Sequence, residues 1–232
     1  PNVEVAYNAV LEAVRSGEIS EQRLDESVYR ILRAKLEKGL FDEPFADEDL
    51  LALIGSEEHL QLADDIADQS ITLVKNENDL LPLAKDEHIF ITGPSVGKPT
   101  LLSSLLEDKG FDTSAFATGT SPTAAQIEEA VELAEDADKI VVTTYTANTN
   151  AQQAALVKAL YETDVPVVVA AIRNPYDLMV FPEIEAYLAT YGDRDVSVRA
   201  LSRILAGEVL PSGTLPVTIP GLYDCGHGLT YE

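Results

Sequence analysis

The stretch Val165-Pro166-Val167-Val168-Val169-Ala170-Ala171-Ile172 is followed at once by Arg173-Asn174-Pro175-Tyr176-Asp177. The first part is a near-continuous apolar, β-branched run, the pattern of a strand buried on both faces. Such a strand belongs in the middle of a parallel sheet covered by helices on each side. Within one residue the character changes to a cation, an amide, a proline-fixed turn, a phenol and a carboxylate. Ligands of open α/β sheets collect beyond the carboxyl ends of the strands. Arg173, Asn174, Tyr176 and Asp177 are therefore the first candidates for function. The bland alternative is a loop that satisfies its own backbone groups.

Outward from this strand the chain alternates. Strands are expected at His88–Thr92, Phe111–Ala117, Lys139–Tyr145 and Glu185–Tyr191. Helices are expected at Thr100–Lys109, Thr123–Glu135 (capped by Ser121 or Thr123), Ala151–Glu162, near Leu178, and at Val196–Ala206. Strands alternating with helices of this length mean βαβ units and a parallel sheet, and right-handed crossovers make it doubly wound. Upstream, Ser56 offers a cap for a helix from Glu57 to Gln69, which runs into a short extended segment, Ile71–Asn76.

The first 40 residues differ. Val3, Tyr7, Val10, Leu11 and Val14 recur at helical spacing with Gly17 as a stop. Leu24, Val28, Ile31, Leu32 and Leu36 do the same between Ser20 and Gly39. Both helices carry an apolar stripe without a strand of their own to cover. Phe41–Asp49, acidic and containing Pro44, reads as a linker.

With 46% hydrophobic and 24% charged residues over 232 positions, the composition suits a full core rather than a disordered chain. Sixteen basic against 40 acidic residues leave a net charge of −24. A surface of that sign repels phosphate backbones and anionic lipid, which argues against nucleic-acid partners. No apolar run reaches the roughly 18 residues of a membrane span, so no membrane insertion is expected. The single cysteine, Cys225, excludes an internal disulfide, and the three histidines lack metal-ligand spacing. Gly93-Pro94-Ser95-Val96-Gly97-Lys98-Pro99-Thr100 imitates a phosphate loop and fails: its glycines are one residue too close, and Pro99 stands where a hydroxyl belongs. No cofactor is expected. Cys225 with His227 lacks a third orienting group placed to make a nucleophile.

Four stretches together resemble the C-terminal region of glycoside hydrolase family 3. They are Leu24–Leu32 through Lys38-Gly39-Leu40-Phe41; Gln69–Glu77 with Leu80-Leu81-Pro82-Leu83; Ala206-Gly207-Glu208 with Pro211–Pro220; and Tyr223 with Gly226–Tyr231. Arg173–Asp177 resembles the β-N-acetylglucosaminidase branch. The resemblance implies an upstream (β/α)₈ barrel in the same polypeptide as partner, carrying the nucleophilic aspartate, and a carbohydrate substrate. Residues 1–16 resemble the last barrel helix and 21–38 the connector leaving it, so residues 1–45 are expected to be a helical remnant and 46–232 the α/β domain.

In the glucosidase branch the acid/base is a glutamate of the C-terminal domain; in the glucosaminidase branch it is a histidine–aspartate pair on a barrel loop. No catalytic residue is therefore assigned to this chain, which is expected to be inactive alone. Arg173, Asn174, Tyr176 and Asp177 are expected to bind substrate along one side of the sugar site. Three alternatives stay open: a stand-alone sugar-binding or protein-interaction module, a glucosidase-branch domain, and a flavodoxin-like cofactor binder.

Overall fold

The computed structural model describes residues 2–45 and 47–231; the division expected at residue 46 falls on a position outside them. The chain separates into two compact units, Pro1–Ser56 and Glu57–Glu232.

The first unit holds helices α1 (Val3–Arg15) and α2 (Glu21–Glu37) and a 3₁₀ turn, Glu48–Leu53. Asn2 caps α1 by accepting the Glu4 and Val5 N–H groups, and Ser20 caps α2 by accepting that of Arg23. The spacing of apolar residues makes both helices amphipathic, yet neither buries a residue: Val3, Tyr7, Ile31 and Leu36 are all exposed.

The second unit is a three-layer α/β sandwich. Its elements in order are α3 (Glu57–Ser70), β1 (Thr72–Asn76), β2 (His88–Pro94), α4 (Pro99–Glu107), β3 (Asp112–Thr118), α5 (Ala124–Ala134), β4 (Lys139–Thr144), α6 (Ala151–Tyr161), β5 (Val167–Ala171), β6 (Ala186–Ala189) and α7 (Asp195–Leu205). The six strands lie in the order β1-β6-β5-β4-β2-β3, all parallel except β1, which runs against β6. This is the doubly wound, mostly parallel sheet that the alternation predicts. The order reverses between β2 and β4, the switch point where such sheets leave a crevice.

Strand pleating sends alternate side chains of β5 to opposite layers. Val168 and Ala170 join α3, α4 and α7 through Ala67, Leu102 and Leu201; Val167, Val169 and Ala171 join α5 and α6 through Ala130, Leu156 and Leu160. Thr123, not Ser121, caps α5, in a capping box with Gln126. α3 is held to α7 by charge: Arg203 reaches Asp64 at 3.3 Å and Asp68 at 2.8 Å, and Arg199 reaches Asp64 at 3.2 Å.

The helix expected near Leu178 is instead a 3₁₀ turn, Pro175–Val180. Asn174 caps its start and Pro175 suits its first position, but Pro182 forbids helical geometry at Phe181, which adopts φ −149°. The C-terminal tail closes the outer edge of β1. Gly213 donates its N–H to Ile71, Leu229 donates to Leu73, and the His227 ring meets the Val74 carbonyl at 2.8 Å.

Candidate functional site

The carboxyl edge of the sheet gathers the loops after β2, β4, β5 and β6. Those after β4, β5 and β6 surround a small open cavity of about 150 Å³ lined by Tyr145, Ile172, Arg173, Tyr191, Gly192 and Asp193. The exposed Arg173 guanidinium stands 5.1 Å from the Tyr145 ring centroid, within cation–π range. Behind it, the Tyr191 hydroxyl donates to Thr72 at 3.0 Å, and burial pushes the Tyr191 phenol above its ordinary value.

Of the four residues expected to face a ligand, the structure brings only Arg173 to this cavity. Asn174 turns inward to accept the Tyr176 N–H at 3.0 Å, which starts the 3₁₀ turn. Tyr176 is half-buried and does not line the cavity. Asp177 does not line the cavity either: it is fully buried, and both its oxygens are occupied. One accepts the Thr144 hydroxyl at 2.7 Å and the other the Asn148 N–H at 3.1 Å. Burial raises its carboxyl above the usual range, against the pull of those bonds and of the Ala147 N–H. Tyr187, buried beside it, is pushed well up by the same loss of water and by the Asp177 charge, and donates its hydroxyl to Pro175 at 3.1 Å. A buried carboxylate with this many internal donors has its hydrogen-bonding capacity met within the protein.

The residues that sequence reasoning missed here are Tyr145, Tyr191 and Gly192. Tyr145 and Tyr191 close their expected strands and Gly192 comes next, and that position at a strand's end was the available signal.

The false phosphate loop now has a structural reason. A Cβ on Gly93 would lie 2.2 Å from the Thr143 carbonyl oxygen, and one on Gly97 2.4 Å from the Thr143 hydroxyl. The two glycines let the loop approach Thr143 of β4 closely at the switch point. Lys98 turns away to pair with Asp195 at the start of α7, which holds that carboxyl below its ordinary range. In the tail, His227 stacks on Tyr223 with ring centroids 4.4 Å apart while Cys225 is exposed, so this pair braces the tail instead of forming a nucleophile and base.

Comparison with known proteins follows the same outline. The sequence model of the glycosyl hydrolase family 3 C-terminal domain matches residues 71–225. A lysosomal beta glucosidase of Dictyostelium discoideum is 30% identical over 272 aligned positions, covering 94% of this chain and 33% of that protein. A beta-N-acetylglucosaminidase/beta-glucosidase of Cellulomonas fimi is 26% identical over 248, covering 93% and 42%. Among solved structures, a glycoside hydrolase family 3 beta-N-acetylglucosaminidase from Paenibacillus sp. str. FPU-7 superposes with a TM-score of 0.67 at 30% identity, over 93% of this chain and 43% of that one. The chain thus spans between a third and somewhat over two fifths of the length of these relatives. With the family model matching residues 71–225 and the fold superposing on a solved member, the chain belongs to glycosyl hydrolase family 3, through that family's C-terminal domain.

Proposed function

We propose that this chain is the C-terminal α/β domain of a retaining, exo-acting β-N-acetylhexosaminidase, and that its carboxyl edge closes one side of a sugar site whose nucleophile lies on a (β/α)₈ barrel of the same polypeptide. The observation that carries the reading is the make-up of that edge. It offers an aromatic–guanidinium pair beside a small cavity, and residues 93–98, 119–123, 145–150, 172–180 and 190–195 contain no glutamate; Glu183 and Glu185 come later in the β5–β6 connection, where the chain returns to the amino end of β6. A glucosidase-branch domain would contribute a glutamate as acid/base. Here the carboxylates are Asp177, which is buried and tied, Asp193, and Asp195, which is paired to Lys98.

Arg173 with Tyr145 suits a sugar: a guanidinium presents several donors to hydroxyls, and a phenol ring offers an apolar face. With Asp177 buried and tied and Asp195 paired to Lys98, Asp193 is the carboxylate left at the cavity among these described loop residues, short of the two that glycoside hydrolysis uses, so the 232-residue chain alone is expected to be inactive. The exposed apolar residues of α1 and α2 are the surface on which the barrel would pack.

The test is kinetic. The full-length enzyme should turn over an aryl N-acetylglucosaminide faster than the matching glucoside, and Arg173→Ala should raise KM about tenfold with kcat little changed, the signature of lost ground-state binding. Turnover by the isolated chain, or an unaltered KM in the variant, would defeat the reading. The glucosidase-branch alternative is favoured by the names of several relatives, including the Dictyostelium protein, and predicts the reverse substrate preference.

A further inference from the structure

Thr146, in the loop after β4, sits at φ 62°. For a β-branched residue that left-handed conformation is an outlier, and it persists only where the surroundings over-determine it. Two buried side chains do so here. Gln153, at the start of α6 and 1% exposed, accepts the Tyr145 N–H at 2.8 Å. The same side chain donates to the Tyr145 carbonyl at 3.0 Å and to the Thr120 carbonyl at 2.8 Å. Asp177, reaching across from the turn after β5, holds the residues on either side: the Thr144 hydroxyl before the turn, and the Ala147 and Asn148 N–H groups after it. Tyr145 is therefore gripped through its own peptide groups, through Thr144 before it and through Ala147 and Asn148 beyond the turn, and its ring lies beneath Arg173.

We propose that Asp177 and Gln153 are positioning residues: they lock the Tyr145–Thr146 turn so that the Tyr145 ring holds the Arg173 guanidinium at the cavity. For its effect on binding, this rests on the sugar-facing reading of the edge. The locking itself does not. Asp177 thereby keeps a functional role without touching sugar, since one carboxylate spans the β4 and β5 loops and sets their spacing. A preformed contact of this kind spares the ligand the loss of side-chain and loop freedom on binding.

The full-length enzyme carrying this chain tests the proposal in five forms: Asp177→Ala, Asp177→Asn, Gln153→Met, Arg173→Ala, and the double variant Arg173→Ala/Asp177→Ala. Amide hydrogen exchange over residues 144–150 and the separate values of KM and kcat on an aryl N-acetylglucosaminide are read for each. Asp177→Ala and Gln153→Met are expected to speed exchange in 144–150 about tenfold or more while residues 167–171 stay protected. Both should raise KM as far as Arg173→Ala does, with kcat unchanged. Asp177→Asn should restore both readouts, because its amide oxygen can still accept a backbone N–H and its NH₂ can donate to the Thr144 hydroxyl.

The double variant should be no worse than Arg173→Ala alone, since the two residues act on one contact. Unchanged exchange in both Asp177→Ala and Gln153→Met overturns the proposal, as does a double variant whose KM effects multiply. Should Asp177→Ala not fold, Gln153→Met and Asp177→Asn decide it through exchange. An unaltered KM in Arg173→Ala removes the sugar-facing reading, while the exchange measurement still decides whether Asp177 and Gln153 lock the turn.

Discussion

The sheet of the second unit and the two helices of the first are written with the same kind of side chain and treat it in opposite ways. Val168, Val169 and Ala170 are wholly buried, while Val3 is 82% exposed and Leu32 48%. An apolar stripe at helical spacing reports a face suited to being covered and says nothing of what covers it. α3 is intermediate. It buries Ala67 and anchors to α7 through Asp64 and Asp68, yet leaves Leu60, Leu62 and Ile66 exposed. Burial in this molecule thus follows whether an element has a sheet to lie on, and an ion-paired helix shows the partial case.

Substitutions graded from core to surface sharpen or break that contrast. The largest effect is expected at Val169→Asp, where a carboxylate without a partner enters the central strand. A loss of about 4 kcal/mol or more should abolish the cooperative thermal transition seen by circular dichroism. Gly93→Ala comes next, because its Cβ would meet the Thr143 backbone at 2.2 Å and its φ is 135°. About 2–3 kcal/mol should appear as a lowered urea midpoint, and a wild-type midpoint would mean the switch-point loop is not tightly seated.

Arg203→Ala should remove about 1 kcal/mol from the partly exposed α3–α7 network. That loss depends on pH. Burial raises the Asp64 carboxyl, but Arg199 and Arg203 outweigh it, and the net value lies below the ordinary one. The network's contribution is therefore present above the unfolded carboxyl value of about 4 and is lost as pH falls through the lower folded value. Urea midpoints of wild type and Arg203→Ala should converge on acidification through that window; a constant gap would show that packing, not charge, holds α3. The smallest effect is expected at Leu32→Asp in α2, within about 0.5 kcal/mol on the chain itself. A loss there comparable to Val169→Asp would erase the distinction between the two regions.

Much of the architecture was legible because its signals are local. The apolar run at Val165–Ile172, the cap at Thr123 and the stops at Gly17 and Gly39 each act within a few residues. The helix expected near Leu178 failed for an equally local reason, Pro182, four residues beyond the leucine. The site was harder. A carboxylate just past a strand reads as solvent-facing, and Asp177 is buried because Thr144 and Asn148, 33 and 29 residues earlier, close around it. Tyr145 and Tyr191 carried no mark beyond their place at the end of an expected strand, since what brings them together is the adjacency of β4, β5 and β6. The glycines at 93 and 97 looked like a phosphate cradle and proved to be the space that Thr143 requires.

The sequence by itself determined the alternation of strands and helices, the buried central strand, the amphipathic helices before it and the family resemblance, because periodicity, capping and motif spacing are properties of neighbouring residues. Only the tertiary structure decided which polar groups face outward. Strand order brings loops from distant parts of the chain to one edge, and there the neighbouring groups, not the residue type, determine that Arg173 stays exposed over the Tyr145 ring while Asp177 is buried against the donors of Thr144 and Asn148.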